Sequence, residues 1–454
     1  MASTYLSRTF GTPTNASKFT YSAWVKRSAL GASYILLYAN GGNSQNFSNI
    51  MFNSSDSFFW HILHSNSEIS KLRTNAVLRD TNAWYHLVFQ YDSTQATAAN
   101  RTKMYINGVE VTSYATQTNS GQNSNYHMNT AVEHIIGAEK GNTGGSVGNY
   151  FNGTMSHVHF VDGTIYAPST FGETDSTTGE WKIKTNPTIS DYGNNGFFIL
   201  KDGNSVTDQS PNTNNWTANG NLTKSEDCPS NVFATFNPLI KTPSGLSFSN
   251  GNTTLTTTNS QWEGCATTLA PSSGKWYWEA KYNTGSGIRL DIARLPTDLR
   301  FFENSNQSYL TYAPYGYGYQ LNNSGYDYYG NNNSMTTWTT NRGNSTKIYM
   351  VAVDLDNGKW WIGADGNWFN KSGTANPVTG ADPLHDFSAN LNGDVWLFGM
   401  SVEGSGGSHN ANFGNGYFGT TAVSSAGTNA SGIGIFEYDV PTGYTALSTK
   451  GLNE

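Results

Sequence analysis

Residues Trp84–Tyr91 read WYHLVFQY, and their alternation decides the fold class. Trp84, His86, Val88 and Gln90 take one side, while Tyr85, Leu87, Phe89 and Tyr91 take the other. That period of two belongs to an antiparallel strand with a core face and a wet face. Phe19–Lys26 (FTYSAWVK) has the same texture, as do Lys103–Ile106 before Asn107-Gly108 and Ser156–Val161 before Asp162-Gly163. Asn-Gly and Asp-Gly favour tight hairpins, because both central residues need positive φ. The second half repeats the pattern in Lys275–Tyr282 (KWYWEAKY), Ile348–Leu355 (IYMVAVDL), Lys359–Ile362 and Val395–Val402 (VWLFGMSV). No stretch of ten residues carries helical periodicity.

Composition agrees. Of 454 residues only 13% are charged, about half the average for soluble proteins. The 48 Gly disfavour helix interiors, and the aromatic residues fit pleated surfaces. With 13 Trp, 26 Tyr and 23 Phe, the chain has the large core contacts that disordered chains lack. The class is all-β. A net charge of −7 speaks against nucleic acid as a partner, since such binders need a basic face. Residues 1–20 lack the basic start and apolar stretch of a signal peptide, and no run of 18 apolar residues could span a membrane. Cys228 and Cys265 form no disulfide framework and are expected to be free thiols.

Pro229, Pro238 and Pro243 punctuate a stretch of weak pattern, and proline cannot join a central ladder. The expected layout is a first sandwich at 1–225, a linker at 226–247, and a second sandwich at 248–454.

Tyr21-Ser-Ala-Trp24-Val-Lys-Arg27, Trp84–Asp92, Lys103–Gly108, Ile136-Gly137, Phe151-Asn-Gly153 and His157–Gly163 resemble the laminin-G/concanavalin-A-like lectin domain. Ser273-Gly-Lys-Trp-Tyr-Trp-Glu279 and Val353-Asp-Leu-Asp-Asn-Gly358-Lys-Trp-Trp361 resemble a SPRY domain. The resemblance implies two concanavalin-A-like, jelly-roll antiparallel sandwiches in tandem. Further segments connect them: Phe171–Trp181, Tyr192–Phe197, Asp208–Asn212 with Asn215-Trp216, Cys228–Pro238 and the closing Pro441–Leu447. In this order they are similar to a two-domain protein of tailed bacteriophages, marine ones especially.

Glycoside hydrolysis would need paired carboxylates about 5–5.5 Å apart for retention or about 6.5–9.5 Å for inversion. Glu173-Thr-Asp175 and Asp354-Leu-Asp356 have i, i+2 spacing, but the first lies in a Gly/Ser/Thr loop and the second enters a tight turn. Both are expected to be structural, and no catalytic residue is assigned. His157 and His159 alternate on one strand without a matching carboxylate, and a surface position or stacked filler is the simpler role. No Gly-x-Ser-x-Gly elbow is present. Calcium is possible, because laminin-G-like lectins often bind it at a rim. Asp92, Asn107 and Asp162 end strands and could contribute, although each is equally a turn residue. No cofactor is required.

Tyr309–Gly330 reads YLTYAPYGYGYQLNNSGYDYYG. Its glycines speak against a long regular strand and favour a loop or ribbon with outward rings, so Tyr312, Tyr315, Tyr317, Tyr319, Tyr326, Tyr328 and Tyr329 are the candidate contacts for glycan or a protein partner, with packing against the neighbouring sandwich or another subunit the equal alternative. Trp24, Trp84, Trp276, Trp278 and Trp396 are expected in the core. Of Trp360 and Trp361, one should be buried and the other exposed.

The function these readings favour is a non-enzymatic virion surface protein. It would be a tail-fibre or tail-tip adhesin binding host-surface polysaccharide, made in the host cytoplasm without a signal peptide. A capsid-decorating or head-fibre protein and a polysaccharide depolymerase are the alternatives. Partners are then host glycan or other virion proteins, without membrane insertion, and the chain is expected to be a homo-oligomer, taken as a trimer.

Overall fold

The computed structural model describes residues 3–141, 145–201, 205–242, 245–295, 310, 313, 315–322, 327–331, 334–338, 347–369 and 374–453. The chain divides into two compact units, Met1–Lys224 and Ser225–Glu454. Among the described residues there is no α-helix, and the helical turns are single 3-10 turns such as Ala98–Asn100 and Pro168–Thr170. None is long and apolar enough to cross a membrane.

In the first unit an eight-stranded antiparallel sheet has its centre in Ser57–His64, Asn46–Phe52 and Tyr34–Asn43, with Ser67–Val77 and Tyr114–Thr118 at one edge. A six-stranded sheet has Gly153–Asp162, Lys18–Arg27 and Trp84–Asp92 at its centre. Trp84–Asp92 pairs with Lys18–Arg27 without a slip, from Lys18 opposite Asp92 to Lys26 opposite Trp84. One face of each sheet builds the shared core, where Trp60 meets Phe89 with ring centroids 4.3 Å apart.

The other face of Trp84–Asp92 is not wet. His86, Val88 and Gln90 are buried too, because residues 164–201 fold back over the six-stranded sheet. Gln90 Nε2 donates to the Tyr166 carbonyl at 2.7 Å, and Trp181 lies against Gly108, where a Cβ would come within 2.6 Å of the indole. Of the expected turn pairs, Asn107 and Gly108 have φ of 49° and 80°, the double positive φ of a type I′ hairpin. At Asp162-Gly163 and Asn357-Gly358 only the glycines have positive φ.

The second unit opposes a seven-stranded sheet, including Glu263–Thr267, Trp396–Glu403, Gly287–Arg294 and Gly316–Asn322, to a second sheet centred on Lys275–Thr284 and Ile348–Asp354. The stretch expected to be a linker is part of this unit. Phe236–Lys241 pairs with Glu263–Thr267, Leu246–Ser249 pairs with Thr254–Thr257, and Ala234, Phe236 and Leu246 enter the core. Pro238 is tolerated because its strand ends the sheet, where a missing N–H breaks no inner ladder. Pro243 lies outside the described residues.

Trp24, Trp84, Trp276, Trp278 and Trp396 are buried as expected. Trp360 and Trp361 do face opposite ways, yet both are fully buried. Trp360 joins the core between the sheets, while Trp361 packs with Ile433, Phe436 and Tyr444 from the chain that covers the outer face. No disulfide joins Cys228 and Cys265.

Candidate functional site

The tyrosine-rich segment is partly core. Gly316–Asn322 is a strand between Gly287–Arg294 and Asp327–Asn331, not an outward loop. Tyr317 packs against His385, Phe387 and Trp396, and Tyr319 against Tyr349 and Phe369. Both are buried, so neither can stack on a sugar. The spacing Tyr317-Gly318-Tyr319 puts both rings on the core face and leaves glycine on the other, so the glycines did not break the strand. Tyr328 and Tyr329 stand opposite Gln320 and Tyr319 on the next strand, and Tyr312 and Tyr326 lie outside the described residues. Tyr315 is exposed, with the Arg294 guanidinium 3.8 Å from its ring centroid.

The carboxylate pairs have structural partners. Glu173 faces Lys182 and Lys184 at 3.6 and 3.8 Å. Asp175 accepts the backbone N–H groups of Thr177 and Thr178 and the Lys182 ammonium. Those backbone donors first, and Lys182 next, hold its carboxyl well below the usual range. Burial alone would raise Asp354, but Asn357 and Lys275 outweigh it and lower it. A glycosidase acid needs the opposite shift. Asp356 accepts the Gly274 N–H at 2.7 Å.

The residues named for calcium do not gather into a cage. Asp162 accepts from the backbone N–H groups of Thr14, Asn15 and Asn195 and from Asn129 Nδ2, at 2.6–3.1 Å. Asn107 accepts the His86 N–H, and Asp92 is held by Thr94 and Gln95. Among the described residues no three His, Cys, Asp or Glu side chains converge.

One arrangement looks like a nucleophile and base. Ser22 Oγ lies 2.9 Å from His86 Nε2. However, the Trp181 indole, which can only donate, gives its N–H to His86 Nδ1 at 2.9 Å. The neutral ring must then carry its proton on Nε2 and donate to Ser22, so it cannot take the serine proton. Burial lowers the His86 pKa to about 3, which keeps that neutral form. His157 and His159 are buried in the same layer, His159 stacked on Phe198 with centroids 3.9 Å apart and His157 displaced by a bulge. They are filler.

The outer face of the eight-stranded sheet is different, and the sequence reading passed it over. Phe47, Asn49 and Met51 alternate away from the core residues Ile50 and Phe52, as Phe59 and His61 do from Phe58, Trp60 and Ile62. Register places Asn49 between Tyr38 and His61. Phe47 stacks on Tyr38 at 5.9 Å and meets His61 edge-on at 5.2 Å, and both Phe47 and His61 keep part of their surface in solvent. Charged groups rim this floor: His61 Nε2 is 3.7 Å from Glu68, Lys71 pairs with Glu68, and Lys140 pairs with Glu133 at 2.9 Å. Burial lowers the His61 pKa and so favours its neutral ring. Asn49 is 2% exposed, and its Oδ1 has no hydrogen-bond partner among the described residues. A buried orphan acceptor costs about 1–3 kcal/mol, so an added donor would be welcome there. The signal was legible as Phe47-x-Asn49-x-Met51 beside Phe59-x-His61, apolar and amide groups where a solvent face should be charged.

Residues 2–169 match the family model of the concanavalin A-like lectin/glucanases superfamily. That is the laminin-G-like fold. Solved structures with similar chains include mouse laminin alpha1 domains LG4-5, at 9% identity and TM-score 0.30, covering 96% of this chain and 92% of that one. A protein from Bacteroides ovatus described as carbohydrate binding is 19% identical with TM-score 0.33, covering 48% and 56%. The SPRY domain of human HERC1 is 11% identical with TM-score 0.27, covering 39% and 96%. No curated protein matches the chain.

Proposed function

We propose that this protein is a non-catalytic carbohydrate-binding protein of a bacteriophage particle, a tail adhesin for host-surface polysaccharide. The observation that carries the binding reading is the aromatic outer face of the first unit, with the orphan Asn49 oxygen at its centre. Sugars present C–H faces to rings and hydroxyls to amides, so Phe47 and His61 would stack while a hydroxyl reached Asn49 as those two side chains shift. The lectin-like fold supports the same reading. The phage assignment rests on the order of connecting segments such as Phe171–Trp181 and Cys228–Pro238. The absence of hydrolysis is argued from the lowered Asp175 and Asp354 and the blocked Ser22–His86 pair.

The test is binding of host polysaccharide to the full chain by calorimetry. Stacking contributes about 0.5–1.5 kcal/mol per ring pair, so Phe47→Ala with His61→Ala should weaken binding about tenfold without unfolding the protein. Unchanged affinity would remove this face from the reading, and release of reducing ends would make the protein a depolymerase. Immunogold labelling of intact particles should mark the tail. Labelling of the head would make it a capsid-decorating protein.

A further inference from the structure

A second feature of the first unit lies where Ser57–His64 ends and the loop before Glu133–Ile136 passes beside it. His64 Nδ1 and His127 Nε2 are 3.4 Å apart, with ring centroids 5.4 Å apart and planes inclined by 36°. An N–H···N bond would be best near about 2.9–3.0 Å, and 3.4 Å is long for one. Two nitrogens each about 2.0–2.1 Å from one tetrahedral zinc ion are about 3.3–3.4 Å apart. The separation is at the long end of hydrogen-bond reach and equals that of two nitrogens on one tetrahedral ion.

The pair is also held in place. His127 is wedged against Gly41, where a Cβ would come within 2.5 Å of ring atoms Cε1 and Nδ1. The His127 carbonyl accepts the Thr130 hydroxyl at 2.7 Å, and Asn46 Oδ1 accepts the Ser65 N–H at 2.8 Å, fixing the chain on both sides. The Tyr126 ring flanks His64. His64 is exposed, so an ion in solution can reach it. The neutral imidazole is the form that ligates.

We propose that His64 and His127 together chelate a transition-metal ion of the Zn²⁺, Ni²⁺ or Cu²⁺ class, with water filling its remaining positions. Nitrogen donors select these ions over calcium, which takes oxygen. The site is independent of the carbohydrate reading.

Calorimetric titration of the full chain with ZnCl₂, NiCl₂ and CuCl₂ should give one saturable site, tightest for copper, and CaCl₂ should give none there. His64→Gln and His127→Gln should each weaken it at least about tenfold, the low end of what loss of even an outer-shell partner costs, with circular dichroism and thermal unfolding unchanged. No saturable binding at millimolar zinc would reduce the pair to a plain imidazole contact. Binding that survives both glutamine variants would place the ion elsewhere. Either result overturns the proposal.

Discussion

Glu279 Oε1 accepts the backbone N–H of Tyr438 at 2.9 Å, deep in the second unit. Oε2 takes the Glu437 N–H, and Tyr277 and Asn412 complete the set. These contacts tie residues 437–438 to the strand Lys275–Thr284. The burial of this carboxyl creates a pH dependence. Burial raises the Glu279 pKa to about 7 in spite of its four donors, from an ordinary value of 4.5. The folded value lies above the unfolded one, so the proton-bound form is favoured by folding. The stabilisation is therefore complete below pH 4.5 and is lost as pH rises to about 7. Its size is about 3 kcal/mol. The difference in urea stability between wild type and Glu279→Gln should change by that order across this window. Parallel pH profiles would refute the assignment.

Tyr317 and Tyr319 should behave as core. Replacing either by Ala should cost about 3–5 kcal/mol, the range for a large buried aromatic. Tyr315→Ala loses a surface contact to Arg294 worth about 0.5–1 kcal/mol. Denaturant unfolding of the three variants separates the two roles, and equal losses would contradict the strand assignment.

A fragment boundary follows from Phe236. Residues 225–454 include the edge strand Phe236–Lys241, whereas residues 246–454 lose it together with Ala234 and Phe236 from the core. The longer fragment should unfold cooperatively and the shorter one should be markedly less stable. Equal melting temperatures would return 226–245 to the role of a linker.

Trp181→Phe keeps most of the ring but removes the N–H given to His86 Nδ1. An unsatisfied buried acceptor should cost about 1–3 kcal/mol. The His86 ring should also lose its fixed tautomer, visible in its nitrogen chemical shifts. Unchanged shifts would mean that Trp181 does not hold the proton on Nε2.

The strands of both units were legible in the sequence because a pleated strand has a period of two and hairpin turns need particular residues. Trp84–Tyr91 and Asn107-Gly108 follow from that local chemistry alone. Local pattern does not say how many layers cover a face. Residues 164–201 buried His86 and Gln90, and residues 433–446 buried Trp361, because irregular chain folded back over faces that alternation alone would leave wet. The same limit hid both candidate sites. Tyr317 and Tyr319 looked like contacts because glycines beside them resemble a loop, yet strand pairing with Gly287–Arg294 turned them inward. Asn49 became an orphan acceptor only when Tyr38 and His61 were brought beside it by register. His64 and His127, 63 positions apart, meet only because the sheet edge and a distant loop converge. Side-chain alternation is a property of neighbours along the chain, whereas burial and pairing depend on which distant segments come to lie against them.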